Sequence, residues 1–283
     1  MAWIYIGIVL VSMTAAKLLV RKTLQNVGSY AFSLFTQLVS VVVLLPFMFS
    51  AEIPKFSEMG RMEYIGLIIA GVLWTFVALI ANKATQLTDV SLREPIVQVR
   101  TLFGFLIGVL LFAEGTTMMQ IAGVAVLFVA CLVTAYRPNM KGYGFKEEGV
   151  LLVVASAFLY AIVAAFDKFN AGLFPTLYYT FILYAIPGAL MLLYLPWGYK
   201  EFRTFSPKTL FTGTLASILQ CIGFYFTIKV FVELPFTTAY PMLQLPTILV
   251  SVLGMVIFKE STNRTGRIIG AILSVVGVLL IRL

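Results

Sequence analysis

The chain has 283 residues, of which 61% are hydrophobic and only 11% are charged. A soluble domain carries about 25% charged residues, so this composition excludes a soluble globular protein and predicts a protein of the lipid bilayer. Histidine is absent, which excludes a histidine-based metal site or proton relay. The net charge of +8 falls in predicted loops and helix ends, where it indicates anionic lipid headgroups as the partner and not nucleic acid.

Ten apolar runs follow one another along the chain, each close to the length of about 20 residues that a helix needs to cross the hydrocarbon core. They cover residues 3–20, 28–50, 63–82, 93–112, 118–136, 148–166, 174–195, 208–230, 237–258 and 264–282. Their hydrophobicity is nearly continuous, whereas the strands of a membrane barrel alternate with a period of two. The predicted fold class is therefore an all-α membrane protein with ten transmembrane helices.

Polar residues recur along the chain at a constant spacing. Lys168 follows Lys22 by 146 positions, and Lys229 follows Lys83 by the same interval. At that interval Pro95, Gln98, Thr101, Gly108, Phe112, Glu114 and Thr116 match Pro241, Gln244, Thr247, Gly254, Phe258, Glu260 and Thr262. Such polar matches are rare by chance in an apolar chain, so the sequence predicts two repeats of five helices, over residues 1–140 and 147–283.

The repeats are predicted to have opposite orientations in the membrane, because each contains an odd number of helices. Most basic residues of the loops then lie on one face, and the positive-inside rule places both termini outside the cytoplasm. Inverted repeats of this kind place the substrate site near the bilayer midplane, where the two repeats face each other.

The order of turn and acidic residues indicates a family. Pro95 opens the predicted fourth helix, Glu114 closes it, and a glycine-containing fifth helix follows; Pro241 and Glu260 repeat the pattern. This pattern resembles the EamA-like repeat of the drug/metabolite transporter (DMT) superfamily. The resemblance implies a multi-pass transporter, not an enzyme, in the cell (inner) membrane of a bacterium or archaeon. Many members have cytoplasmic termini, so both orientations stay open.

One departure from the superfamily bears on mechanism. Its small multidrug members carry an essential Glu in the first helix, whereas residues 3–20 and 148–166 contain no acid within the membrane. A simple exchange of drug for proton at that Glu is therefore not expected.

Matched polar stripes on the fourth and ninth helices are the first candidates for a substrate site. Glu94, Gln98 and Thr101 share one helical face, which Phe105 continues. The corresponding residues of the ninth helix are Tyr240, Gln244, Thr247 and Ser251. Polar side chains avoid lipid, so these stripes are expected to line a wet central cavity. The alternative is that they form hydrogen bonds between packed helices.

Arg100 lies within the fourth helix, where a charge costs at least about 2.5 kcal/mol. It therefore needs an anion, which is either a substrate carboxylate or phosphate, or an internal acid. The candidate internal acids are Glu94, Asp89, Asp167 and Glu233. The sequence leaves both roles open.

Mid-helix pairs complete the predicted site. Thr14 matches Tyr160, and Trp74 matches Gln220, at the repeat interval. Such aromatics could shape a site for an amphipathic metabolite, although simple packing is the commoner role of an aromatic in a membrane helix. We expect Glu114 to be structural, with its carboxylate accepting from the free backbone N–H groups of the fifth helix that follows it.

These observations predict a secondary transporter, more specifically an exporter of a small polar or zwitterionic metabolite such as an amino acid, working by alternating access. No ATPase motif or cofactor site is visible, and a monomer suffices. A coupling ion would have to use Glu94, Asp89, Asp167 or Glu233. The alternatives are an exporter of lipophilic drugs or, in another class, a membrane enzyme or sensor.

Overall fold

The computed structural model describes residues 1–54, 60–88, 93, 96–97, 99–135, 148–257 and 264–282. The regular structure of these residues is helical. The α-helices are α1 (Ala2–Leu24), α2 (Ser29–Met48), α3 (Arg61–Leu87), α4 (Val99–Leu111), α5 (Met118–Ala135), α6 (Glu148–Ala171), α7 (Thr176–Leu193), α8 (Leu195–Gly198), α9 (Pro207–Glu233), α10 (Phe236–Met242), α11 (Leu245–Ile257) and α12 (Arg264–Arg282). A 3₁₀-helix, Tyr199–Thr204, follows α8.

The lengths of these helices fit a bilayer. Among the described residues, seven helical segments are long and apolar enough to span it: Ala2–Leu24, Ser29–Met48, Arg61–Leu87, Glu148–Ala171, Thr176–Leu193, Pro207–Glu233 and Phe236–Gly254. Three shorter apolar helices are Val99–Leu111, Met118–Ala130 and Ile268–Ile281. The prediction of an all-α membrane protein is confirmed, and each of the ten predicted runs corresponds to one of these segments.

The chain forms two compact units, and each takes helices from both halves of the sequence. Unit 1 comprises Met1–Asn82 and Phe166–Glu233, and unit 2 comprises Lys83–Ala165 and Leu234–Leu283. The long helices α3 and α6 each contribute residues to both units.

In unit 1, α1 packs along α9 and α2 packs along α7. The first pair is close because Gly223 of α9 has no side chain: an added Cβ would lie 2.6 Å from Cγ of Met13. The hydroxyls of Thr23 and Thr212 share a hydrogen bond of 2.9 Å across the same pair. The Tyr30 hydroxyl of α2 donates to the Met191 carbonyl of α7 over 2.7 Å. Small residues and interhelical hydrogen bonds therefore hold this unit together, as is usual in lipid.

In unit 2, α5 packs along α12 and α4 packs against α10. The backbones of α5 and α12 approach so closely that a Cβ added to Gly123 would lie 2.6 Å from the carbonyl oxygen of Gly277. A Cβ added to Gly108 of α4 would lie 2.7 Å from Cγ2 of Thr237 in α10. Glycines in α4, α5 and α12 thus set the spacing between the helices of this unit.

The predicted ninth helix is two helices, α10 and α11, with a turn at Leu243 and Gln244 between them. Pro246 stands in the first turn of α11, where it has no N–H to donate and its ring excludes the helical position of the carbonyl four residues earlier. The Gln244 N–H turns back to the Pro241 carbonyl at 3.1 Å. The continuous helix expected from the hydropathy is therefore interrupted near its middle.

Two helices end later in the structure than the sequence predicted. The third helix continues past Lys83 to Leu87, and the eighth continues past Lys229 to Glu233. A long Lys side chain carries its charge away from the backbone, so the helix can extend beyond it. Lys168 lies in the last turn of α6, and its ammonium donates to the Phe231 carbonyl near the end of α9 over 2.6 Å.

Candidate substrate site

Arg100 is the charged centre of the candidate site in unit 2. The residue is 7% exposed and lies in α4. Its Nη2 donates to the Thr247 hydroxyl of α11 over 2.9 Å. Its guanidinium carbon lies 4.5 Å from the centre of the Tyr160 ring in α6. Three of the predicted site residues, from three helices, therefore meet at one point.

Both of these contacts of the guanidinium are with uncharged groups. The acids that the structure describes in unit 2 are Glu114 and Glu148, and neither lies within ion-pair distance of Arg100. The Arg100 Nε is buried and has no hydrogen-bond partner among the described residues. A buried donor without an acceptor is costly.

The interrupted helix lies beside this arginine. Tyr240 of α10 is 1% exposed, and its ring covers Gly104, one turn from Arg100 on α4. The Gln244 side-chain amide donates back to the Tyr240 carbonyl over 3.1 Å, across the end of α10. Thr101 is buried in the same part of α4. The structure thus places Thr101, Tyr240, Gln244 and Thr247 in one unit with Arg100.

The other described candidates lie in unit 1. Thr14 is 6% exposed in α1, and its hydroxyl has no hydrogen-bond partner among the described residues. Gln220 is half-buried in α9, and Trp74 is half-buried in α3. The Trp74 ring packs edge-on against Phe224, with 5.4 Å between the ring centres.

Trp74 also belongs to a polar cluster. Its indole N–H lies 3.2 Å from each carboxylate oxygen of Asp167, and the Tyr179 hydroxyl donates to Oδ1 of the same residue over 2.8 Å. From the sequence, Asp167 was a candidate partner of Arg100 or of a coupling ion. Nothing in the sequence indicated that Tyr179 would bind Asp167. The spacing of Asp167 and Asn170, one helical turn apart in an apolar run, was the available signal.

Two predicted site residues, Glu94 and Gln98, and the candidate acid Asp89 lie outside the described residues. Glu233, another proposed anion for Arg100, lies 3.6 Å from the amino group of Met1 within unit 1. The predictions for Glu94, Gln98 and Asp89 remain predictions.

Glu114 caps a different helix from the one expected. We expected it to cap the fifth helix, which follows it in the chain. Its two carboxylate oxygens instead accept from the backbone N–H groups of Phe236 and Thr237, at 2.6 and 2.7 Å. Pro235, at the N-cap of α10, has no side-chain group that could do this. The residue before Glu114, Ala113, has a φ of 49°, a left-handed conformation that turns the chain here.

The comparisons with known proteins agree with this architecture. A solved structure entitled "Crystal structure of protein" aligns with 99% of this chain and 95% of its own, with a TM-score of 0.72 and 16% sequence identity. At that identity the likeness concerns the fold alone. A search of curated proteins found no match. The model of the EamA-like transporter family matches residues 1–136 and again residues 147–283. The chain therefore belongs to the EamA-like transporter family, a family of multi-pass membrane transporters and not of enzymes.

Proposed function

We propose that this chain is a secondary transporter that exports a small polar or zwitterionic metabolite, such as an amino acid, by alternating access. The observation that supports the proposal is the buried guanidinium of Arg100, which has an unused donor and whose two contacts with described residues, Thr247 and Tyr160, are uncharged. A substrate carboxylate is the group that such a donor set recognises, since guanidinium and carboxylate pair through parallel hydrogen bonds.

The magnitudes favour an anionic partner. An arginine within a membrane helix costs at least about 2.5 kcal/mol. The hydrogen bond to Thr247 returns about 1 kcal/mol, and the Tyr160 ring returns about 0.5–2 kcal/mol. Removing the cost of the unpaired Nε requires a further acceptor. A carboxylate that arrives with the substrate supplies it and neutralises the charge.

The interrupted ninth helix supports transport at the same place. Discontinuous helices in secondary transporters commonly border the substrate and leave backbone groups free to contact it. Here the turn between α10 and α11 lies three residues before Thr247, which contacts Arg100. A short helix joined to a longer one by a turn can also tilt independently, which alternating access requires.

The decisive experiment is transport by the purified full chain in proteoliposomes. Radiolabelled amino acids, the matching amines without a carboxylate, and lipophilic cations are compared in counterflow. We expect the native chain to exchange carboxylate-bearing substrates. Replacing Arg100→Leu should lower that exchange about 10- to 100-fold, equivalent to the loss of about 1.4–2.7 kcal/mol. Arg100→Lys keeps the charge but not the fork geometry and should be intermediate.

The matched control is Arg203→Leu, which removes an arginine from an exposed position of the 3₁₀-helix. It should leave exchange unchanged. Unimpaired amino-acid exchange in a folded Arg100→Leu protein would remove Arg100 from the substrate site. Absence of flux for every compound by a folded native chain would refute the transporter proposal.

An exporter of lipophilic compounds is the second candidate, and an aromatic cluster in unit 1 favours it. Trp74 and Tyr184 both pack edge-on against Phe224, with ring centres 5.4 and 5.9 Å apart. This function does not need Arg100. Transport of lipophilic cations that persists in Arg100→Leu, with no amino-acid exchange by the native chain, would select it.

We also propose that the protein works as a monomer in the cell (inner) membrane of a bacterium or archaeon. Each compact unit already draws helices from both halves of the chain. A second copy is therefore not required to bring the two repeats together.

A further inference from the structure

Unit 1 contains an acidic side chain enclosed in the membrane-spanning part of the chain. Asp167 is 1% exposed and lies in α6, one position before its last turn. It accepts from the indole N–H of Trp74 in α3 and from the Tyr179 hydroxyl of α7. Both donors bind Oδ1, and Oδ2 receives only the long contact of 3.2 Å from the indole. Oδ2 is therefore only weakly hydrogen-bonded.

No basic side chain neutralises this carboxylate among the residues that the structure describes. Lys168 is adjacent in sequence, but its ammonium is bound to the Phe231 carbonyl. Lys229 of α9 has its ammonium over the Tyr225 ring. The ionisable group that faces Asp167 from α7 is the hydroxyl of Tyr179, and α3 presents the indole of Trp74.

An ionised Asp167 would therefore be a buried charge without a counter-charge. Enclosure in an apolar region is costly for an unpaired ion. The position adds to this cost, since Asp167 lies near the C-terminal end of α6, where the helix dipole places partial negative charge. Two hydrogen bonds to neutral donors offset only part of this cost. Binding a proton at Oδ2 removes the charge altogether.

Asn170 supplies a second, independent observation at the same place. It lies one turn beyond Asp167 on the same face of α6 and is 0% exposed. Its amide approaches the Tyr179 hydroxyl, but neither its oxygen nor its nitrogen makes a well-formed hydrogen bond within the described residues. A protonated Asp167 gains an O–H donor, and the side-chain oxygen of Asn170 is an unused acceptor on the same face.

We propose that Asp167 is the coupling group of the transporter: it binds one proton at its carboxylate when open to one side of the membrane and releases it to the other side, so that a proton gradient drives the substrate. The inference rests on the proposed transport function. The reaction is a single protonation, carboxylate plus proton to carboxylic acid, and needs no other reactant. Trp74, Tyr179 and Asn170 position the carboxylate.

A proton suits the cluster better than a metal cation. Hard cations take six or more oxygen ligands, whereas this cluster offers the carboxylate and one amide oxygen, and two of its four side chains are donors. The described residues contain no group of three His, Cys, Asp or Glu side chains that could hold a metal ion. A sodium-driven transporter is therefore an outcome that would contradict the proposal.

The first test follows the proton without needing a substrate. The chain has three tryptophans, and Trp3 and Trp197 are exposed, so the variant Trp3→Phe/Trp197→Phe leaves Trp74 as the single emitter. Its indole N–H contacts Asp167, so loss of the negative charge should shift the emission. We expect the Trp74 emission of this variant to change with pH in a single step. Asp167→Asn should abolish it, and Glu148→Gln, an exposed acid of the same helix, should not.

The second test measures coupling in proteoliposomes. An imposed pH gradient should accelerate net transport by the native chain. Asp167→Asn should lower this gradient-driven transport at least about 10-fold. It should retain substrate counterflow, which needs no net proton movement. Asp167→Glu keeps a carboxylate and should retain partial coupling. If the Asn variant does not fold, the Glu variant still tests whether coupling depends on the position of the carboxylate.

The outcomes separate the two proposals. The proton site would be overturned, whatever the transport result, in either of two cases. The pH-dependent change of Trp74 emission persists in Asp167→Asn, or it is absent from the single-tryptophan variant that retains Asp167. Gradient-driven transport that is unchanged in Asp167→Asn, or that follows sodium and not pH, would overturn the coupling role and leave the transporter proposal standing. Failure of all flux in the native chain would instead refute the transporter proposal.

Discussion

Removal of the Glu114 carboxylate should weaken the junction between the two halves of unit 2. Glu114 lies after α4, and its carboxylate holds the first two N–H groups of α10, Phe236 and Thr237. These groups have no acceptor within their own helix, because the first turn of any helix leaves its N–H groups unpaired. Pro235 cannot replace the lost cap. The variant Glu114→Ala therefore leaves two partly buried donors without partners.

The distances indicate a large effect. At 2.6 and 2.7 Å both hydrogen bonds have the short length of charge-assisted bonds. Each such bond contributes about 1.5–3 kcal/mol, whereas loss of an ordinary cap costs about 0.5–2 kcal/mol. With some rehydration of the freed donors we expect Glu114→Ala to lose about 2–4 kcal/mol. Glu114→Gln keeps one acceptor and should lose about half as much.

Thermal unfolding of the purified chain in detergent, followed by circular dichroism, measures this loss. For a chain of this size, about 2–4 kcal/mol lowers the midpoint by about 5–15 °C. The matched control is Glu52→Ala, which removes an exposed acid and should shift the midpoint little. Equal midpoints for Glu114→Ala and Glu52→Ala would refute the reasoning, since the two hydrogen bonds would then contribute nothing to the folded state.

Three further substitutions test two close approaches and one left-handed residue. Gly104→Ala places a Cβ against the Tyr240 ring and should cost about 1–3 kcal/mol, seen as a lower unfolding midpoint and slower substrate counterflow. Ala113→Gly relieves a φ of 49°. It should increase the free energy of unfolding by up to about 1 kcal/mol and therefore raise the unfolding midpoint. Gly277→Ala places a Cβ 2.8 Å from the Gly123 carbonyl oxygen, a backbone atom that cannot rotate away. It should lower the midpoint as much as Gly104→Ala does.

Gly7→Ala is the control for these variants. A Cβ at Gly7 would meet nothing within 4 Å, and the residue is exposed within α1. Alanine should stabilise the helix there by about 0.5–1 kcal/mol. If Gly7→Ala destabilised the chain as much as Gly277→Ala, close helix packing would not explain either result.

The sequence predicted the number of apolar segments well. Hydropathy is read from neighbouring residues, and the repeat interval from comparing the chain with itself, so neither requires knowledge of tertiary contacts. It did not predict the interruption of the ninth helix. Pro241 and Pro246 flank that turn, yet Pro46 in α2 and Pro187 in α7 lie inside helices that continue past them. A proline therefore marks a possible break, and tertiary packing decides whether the backbone actually opens there.

The site shows the same division between local and distant information. Arg100, Tyr160 and Thr247 were selected from the sequence as polar or aromatic residues within helices, and the structure brings them into contact. The helix capped by Glu114 was predicted wrongly, because its true partners lie 122 and 123 positions away in the chain. Neither helical periodicity nor the repeat interval carries information about that distance.

The cap on α10 bears on the order in which the protein is synthesised. Ribosomes make the chain from its N-terminus, so Glu114 enters the membrane long before Phe236 and Thr237 exist. Until then its carboxylate has no helix to bind, and α1 and α5 lack their partners α9 and α12. The first half of the chain therefore lies in the bilayer without its final helix–helix contacts until the second half has been synthesised. Such an intermediate exposes the glycine faces of α4 and α5 and an acid without its hydrogen-bond partners.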